Sequence, residues 1–600
     1  MRDSVAAGRQ GFMRSVRAHA AVAMAIALTL MLGVLPAPAL ARQYAPAGNS
    51  HPQSEMLNAR GQSNPFGEPA AMGDHSAPVT DPQRKHEFSR NVNVAALRDV
   101  AVYHSGRVKI LDSLARETVS ELLHRKDYRD IVYRDGSSRP TKYTYDPLFT
   151  FLDLAIDPAY YQDKAVIGVT YLPLRDEILE RVFPMPANAP ATERAAIEEQ
   201  RESWKRVGRL TPKWIARWLD EVQQKHDLGG PFQRSVNDAH QAIALYLGLA
   251  GTLAVVPPAP ETPGQAWRMV GELPEGSAVR AAFLEMGRAW RAMDADAVNS
   301  QIEIIRAELP RIRPEVYPGI RRDVERVYNA SSPFEYGAWA YAVSFLLLTL
   351  AMTTGRKWLS RSGLTVLGIA VLIHALGFAA RCYIAERYSI QNQFESMTGV
   401  SLFAAAVGIW LMAWKRNAVF AAAAAGAGFL VLIFATQTAI PGKEINREAA
   451  ILNTSVLLKY HVTIVLVSYG LITLGMIMSL FYLARYYGAS RVGNENEAAL
   501  KELDGAHNVV LQLAFWTLGV GILLGAWWAD HSWGRWWAFD PKELWALVTW
   551  IVYLIVVHVR VAGVKNRGLV TAWLSVLGFI AMVWCYFGVN LLLPGLHAYA

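Results

Sequence analysis

The stretch Trp527–Trp550, WWADHSWGRWWAFDPKELWALVTW, holds seven of the chain's nineteen tryptophans. Apolar runs flank it, at roughly 508–527 and 543–562. Each is close to the length, about 20 residues, at which a helix crosses the hydrocarbon core of a bilayer. Tryptophan collects at membrane interfaces, so a loop that leaves and re-enters a bilayer carries one or two rings at each span end. Seven is more than a belt requires. The segment Asp540–Glu543, DPKE, predicts how the second run begins. Asp540 serves as N-cap, Pro541 takes the first helical position, and the Glu543 carboxylate reaches back to complete a capping box.

Outward from this stretch the same pattern repeats. From Tyr336 onward eight spans are predicted, at roughly 336–353, 364–385, 396–414, 418–440, 459–484, 508–527, 543–562 and 570–593. The fold class is therefore mainly α: a polytopic helical membrane protein over residues 331–600, with a mostly helical soluble domain ahead of it. The soluble domain is expected over 94–330, where charged and apolar residues mix. There VAVYHSGRVKILDSLARETVSELLHR, Val100–Arg125, reads as a strand, a turn at Ser105-Gly106 and a helix. Residues 42–93, rich in Pro, Gly, Ala, Ser and Asn, are expected to be a disordered linker. Residues 1–41 combine Arg2, Arg9, Arg14 and Arg17 with the apolar run Ala21–Leu35 and the small-x-small site Ala39-Leu40-Ala41. They predict a signal peptide or an N-terminal anchor, which sends the soluble domain across the membrane.

Charge supports that orientation. The predicted inner loops carry Arg356, Lys357 and Arg361, then Lys415 and Arg416, then Arg485 and Arg491, then Arg560, Lys565 and Arg567. Arg387, Lys443, Arg447 and Lys459 run against the trend on the outer side. The tryptophan stretch and the C-terminus then both lie outside, on the periplasmic face of a bacterial inner membrane. The net charge of +8 is modest for this length, and in the C-terminal half Lys and Arg cluster in short loops between apolar runs, which points to membrane topology, not to nucleic acid. Cys382 and Cys585 are the two cysteines and form no C-x-x-C, which excludes a zinc ribbon and a thioredoxin-like motif. Residues 94–330 contain no G-x-S-x-G, Walker loop or H-E-x-x-H.

A tryptophan shelf at an aqueous interface offers stacking area to a broad flat molecule. Trp527, Trp528, Trp533, Trp536, Trp537 and Trp545 supply the rings, with Asp540 beside them. Arg535 and Lys542 are placed to meet carboxylates. Haem has this shape and carries two propionates, and histidine is its usual iron ligand. His461 opens span five at its outer end and His597 follows span eight, so the two flank the shelf as candidate axial ligands. His558 lies late in span seven, about 26 Å along the helix from Pro541 and towards the inner side. His374 sits near the middle of span two. Ionisable residues within spans are functional candidates. His531 reads as a loop residue.

These residues resemble the WWD signature of haem-handling proteins, and specifically the CcsA/ResC-type cytochrome c biogenesis proteins of system II. The resemblance rests on WGRWWAFDPKELWALVTW, on HVTIVLVSY from His461, on YLIVVHVR around His558, on FGVNLLLPGLHAYA at the end, and on NQFESM at Asn392–Met397. It covers roughly 336–600. It implies that haem b crosses the membrane and is held outside for thioether attachment to the C-x-x-C-H segment of apocytochrome c, as part of a cytochrome c synthase complex. It maps the family's outer histidines onto His461 and His597 and its transmembrane histidine onto His558. It further implies a ResB/CcsB-like partner that supplies a second transmembrane ligand, for which His374 is the candidate substitute within this chain, and a separate protein that reduces the substrate thiols. Phe539 stands where the family has a tryptophan, so altered packing with haem binding retained is expected there. Two other functions fit parts of the pattern. One is haem export or relay without ligation; the other is a lipid-linked glycosyl transferase using Asp540 and Glu543, which leaves the histidines without a role.

Overall fold

The computed structural model describes residues 64–67, 81–132, 140–225, 230–259, 265–316, 319–438, 440–447, 455–488, 494–593 and 595. The expected signal segment 1–41 and His597 lie outside the described residues. The chain divides into two units with the boundary between Asn329 and Ala330.

Among its described residues the first unit is helical, with three small two-stranded antiparallel sheets. Its elements are α1 (Pro82–Asn91), β1 (Ala101–His104), β2 (Arg107–Ile110), α2 (Leu111–Leu123), β3 (Tyr128–Val132), β4 (Thr141–Tyr145), α3 (Pro147–Ile156), β5 (Ile167–Gly168), α4 (Leu172–Val182), α5 (Ala191–Val207), β6 (Arg209–Leu210), α6 (Pro212–Lys225), α7 (Gly230–Gly248), α8 (Ala278–Arg291), α9 (Ala295–Ile312) and α10 (Ile320–Ser331). The predicted turn joins β1 to β2, with Ser105 at φ 50° and Gly106 at φ 78°, as a two-residue hairpin of primed type demands. Phe149, Phe151, Trp290, Ile178 and Val222 are among the fully buried side chains of its core.

The linker expectation fails over its described part. Phe66 is fully buried, and the Arg291 guanidinium donates to its carbonyl at 2.8 Å. Residues 82–91 form α1, N-capped by Asp81. Lys85 buries its ammonium at 2.9 Å from both Asp153 and Asp157, and Phe88 meets Trp290 edge-on at 5.3 Å. Two buried aromatics and a lysine paired with two aspartates anchor a segment whose overall composition is polar, which is why composition misread it.

Among its described residues the second unit contains eight helices long and apolar enough to cross a membrane: α11 (Pro333–Thr354), α12 (Lys357–Ala385), α13 (Gln393–Lys415), α14 (Val419–Gln437), α15 (Val456–Gly488), α16 (Asn494–Trp533), α17 (Pro541–Val561) and α18 (Arg567–Val583). A π turn, Trp584–Gly588, and a last short helix, α19 (Val589–Leu592), continue α18. This is the expected polytopic helical membrane fold. Between membrane helices close approach replaces the hydrophobic effect, so small residues mark the contacts. Ala421–Ala425 of α14 are fully buried, and a Cβ on Gly408 of α13 would stand 2.6 Å from that of Ala424.

At the end of the bundle that holds the tryptophans, a buried ion cluster fixes the loops. Glu395 of α13 is fully buried, with Arg387 at 2.6 Å and Arg381 of α12 at 3.1 Å. Arg381 also donates to the carbonyls of Gly442, Lys443 and Glu444 at 2.7–3.0 Å, tying down the connection that leads to α15. Lys443 donates to Thr436 at the C-terminal end of α14, at 3.0 Å. Arg387 and Lys443, two of the cations that oppose the charge trend, therefore serve local structure.

Candidate functional site

A cavity opens at this end of the bundle, with about 1520 Å³ of empty space including its mouth. The start of α15 supplies His461, the last turns of α16 supply Gly525 and Trp528, and the α16–α17 connection supplies Trp536 and Trp537. Opposite them stand polar groups from the start of α13, from Lys542 on α17, and from Tyr586 and Asn590. All of these positions lie at one end of the bundle, where the starts of α13, α15 and α17, the end of α16, the α16–α17 connection and the extension of α18 converge.

His461 is held by α16. Its Nδ1 lies 2.8 Å from the carbonyl oxygen of Gly521. A carbonyl only accepts, so the proton sits on Nδ1 and the basic lone pair on Nε2, the arrangement that a histidine ligand needs. Gly525 makes room for the ring: a Cβ there would lie 2.6 Å from His461 Cε1. Beneath it Trp528, 2% exposed, packs with Leu458 and meets Trp533 edge-on at 4.8 Å.

The tryptophan stretch divides in a way the sequence reading did not anticipate. Residues 527–533 are helical and complete α16, so the connecting loop is only 534–540. Trp528, Trp536 and Trp537 border the cavity, with Trp533 behind Trp528. Trp527 is 47% exposed and turns to His531, which is itself on the helix and bonded to the Trp527 carbonyl oxygen at 3.0 Å. Trp545 packs on Trp584, and Trp550 stacks on Phe515 at 5.1 Å. Arg535 is exposed and does not border the cavity. Phe539, at φ 55° and 78% exposed, stands edge-on to Trp537 at 6.5 Å and does not border the cavity.

Asp540 caps α17 as expected. Its carboxylate accepts from the Lys542 N–H at 3.2 Å, while Glu543 accepts from the N–H groups of Ala538 and Asp540 at 2.9 and 3.3 Å. Both carboxylates are thus spent on the backbone, which leaves no acid–base pair for a transferase.

The remaining histidines separate. His558 lies on an exposed face of α17, its Nδ1 2.8 Å from the Leu554 carbonyl oxygen. Two residues on, Arg560 points the other way and clamps Asp504 of α16 with bonds of 2.7 and 2.8 Å. His374 is fully buried, with the Tyr341 hydroxyl 3.3 Å from its Nδ1 and Phe334 edge-on at 5.6 Å. It borders no part of the cavity. It is wedged among aromatic rings of the first spans, and its Nε2 has no hydrogen-bond partner among the described residues. Sequence reasoning missed Gln393, Ser396, Tyr586 and Asn590, the polar side of the cavity. NQFESM was the available signal, yet nothing local says that α13 begins against α18 and its extension.

The family described as "Cytochrome C assembly protein" matches residues 390–597, a span that includes every cavity segment from Ile390 onward. CcsA of Synechococcus sp. strain CC9605, a cytochrome c biogenesis protein, is 30% identical over 303 residues, covering 45% of this chain and 98% of that protein. The chain belongs to the CcsA-type cytochrome c biogenesis family. CcsA of Trieres chinensis is 26% identical over 46% of this chain and 98% of its own length. NrfI of Wolinella succinogenes is 31% identical over 39% of this chain, a match that spans only 25% of NrfI. That to CcsA of Chlamydomonas reinhardtii spans 40% of its relative. The part of the chain matched by the family model lies within its membrane unit.

Proposed function

We propose that this CcsA-type protein passes haem b across the membrane and presents it in the outer cavity for thioether attachment to apocytochrome c. The observation that carries this reading is His461, whose Nδ1 is engaged by Gly521 so that Nε2 is the ligating nitrogen, set beside three cavity-lining tryptophans. Haem is the substrate here. His461 and His597 hold its iron, and Trp528, Trp536 and Trp537 pack on the macrocycle. In the reaction each substrate cysteine adds across a vinyl group, the sulfur to one carbon and the thiol proton to the other, so no oxidant is consumed. The protein contributes position and exclusion of water. The substrate's own histidine then displaces one of the protein's ligands.

On the charge pattern of the loops, the cavity faces the periplasm and His558 lies towards the cytoplasmic side. His558 faces away from the bundle, so a second ligand to haem held there comes from outside these eight helices. A ResB/CcsB-like subunit is the partner that would supply it. A thiol-reducing protein keeps the substrate C-x-x-C-H open.

The test is the absorption spectrum of the purified protein together with maturation of a co-expressed apocytochrome c. Wild type should carry haem and yield covalent cytochrome. His461→Ala and His597→Ala should lose both, with maturation restored by added imidazole. Haem that co-purifies without covalent product, partner and reductant being supplied, would favour a relay; intact maturation in both variants without imidazole would remove the ligand assignment.

A further inference from the structure

One wall of the cavity carries polar groups that its own chain leaves unsatisfied. Gln393, the first residue of α13, is 8% exposed and borders the cavity. Neither its Oε1 nor its Nε2 has a hydrogen-bond partner among the described residues. Its backbone carbonyl is taken, accepting from the Tyr586 hydroxyl and from Ser396 Oγ, both at 3.0 Å. The amide is therefore left facing the cavity, and a buried amide in that state calls for a ligand or water.

Lys542 stands on the same wall. Its ammonium donates to Asn590 Oδ1 at 2.8 Å, and no carboxylate forms an ion pair with it among the described residues. Glu543, the nearest acid on the cavity lining, is committed to the backbone of Ala538 and Asp540. The wall thus offers one cation that forms no ion pair among the described residues and one unbonded amide N–H pair, beside a Glu543 carboxylate already bonded to the backbone. Charge-assisted bonds to a carboxylate satisfy such a set.

We propose that Lys542 and Gln393 form a carboxylate pocket that receives a propionate of haem held by His461. This rests on the haem reading above. It replaces Arg535 in that role, because Arg535 is exposed and outside the cavity.

Titration of the full-length, detergent-solubilised protein with haemin and with haemin dimethyl ester, followed at the Soret band, tests it. The ester keeps the macrocycle and the iron and lacks the charges. Wild type should bind haemin about tenfold more tightly than the ester. Lys542→Met and Gln393→Leu should each remove most of that preference while leaving ester binding unchanged, which also shows that the variants are folded. The near-isosteric Gln393→Glu should weaken haemin further by repulsion. If the variants weaken both ligands equally, the two residues are merely structural and the pocket is overturned. If wild type binds both ligands equally, and through His461, the pocket fails while the haem reading stands. If wild type binds neither, the haem reading fails and the pocket with it.

Discussion

At the scale of single residues the site depends on what is missing as much as on what is present. Gly525 bears no side chain where a Cβ would stand 2.6 Å from the His461 ring. Gly525→Ala should push the ring off the Gly521 carbonyl, and haem titration should show at least a tenfold loss of affinity, partly restored by imidazole as for His461→Ala. Glu395 is the second case. It neutralises two arginines in a fully buried cluster, so Glu395→Gln leaves two cations facing each other. Removing one partner of a buried ion cluster costs about 3–5 kcal/mol. Thermal unfolding in detergent should show a large drop in midpoint for Glu395→Gln, and a small one for Arg447→Gln at an exposed position of the α14–α15 connection. His461 was legible because a histidine opening an apolar run stands out. Gly525 was not, since a glycine in a span signals nothing until its neighbour across the helix pair is known. Glu395 looked like part of a motif, and its two arginine partners come from separate segments.

At the scale of elements the DPKE segment was legible in full, because capping is local chemistry. Asp540 and Glu543 act within one turn, and the structure contains that turn. This separates a cap from a catalytic acid by experiment. Asparagine caps helices about as well as aspartate, whereas alanine costs about 1 kcal/mol. Asp540→Asn should therefore keep both stability and haem binding, while Asp540→Ala should lower the unfolding midpoint. Loss of activity in Asp540→Asn at unchanged stability would instead argue for a charge acting on substrate. The end of α16 was misjudged for the opposite reason. An interfacial reading of the tryptophans suggested loop, whereas Trp528 is buried between α15 and α16 by Leu458 and Trp533, and that packing extends the helix to Trp533. Span ends set by tertiary contact are not written in local hydropathy.

At the scale of the whole chain, the change from mixed to apolar composition falls within a few residues of the boundary between the two units at Asn329–Ala330, because helices that cross a bilayer need long apolar runs. The start of the first unit was hidden, because the ion pair that holds α1 joins residues about 70 positions apart in sequence. The same unit carries a pH sensitivity that no composition reveals. His104 ends β1, and burial first, then the nearby charges of Lys109 and Arg107, push its pKa down to about 3 from 6.5. Lys109 is itself paired with Glu117 and Arg107 with Glu325, so neither anion reaches the ring. The folded state binds fewer protons here than the unfolded state between these two values, so stability rises with pH across that window. The contribution is fully present above about pH 6.5 and is lost as the pH falls towards 3. Its upper bound is about 4 kcal/mol, at roughly 1.4 kcal/mol per pH unit with a discount for partial exposure of the ring. The unfolding midpoint of the first unit, followed in the full chain by tryptophan fluorescence, should therefore fall steeply from pH 6.5 to 4. His104→Asn should flatten that slope, leaving only the carboxylate contribution below pH 5. An unchanged slope in the variant would overturn the assignment of the acid sensitivity to His104.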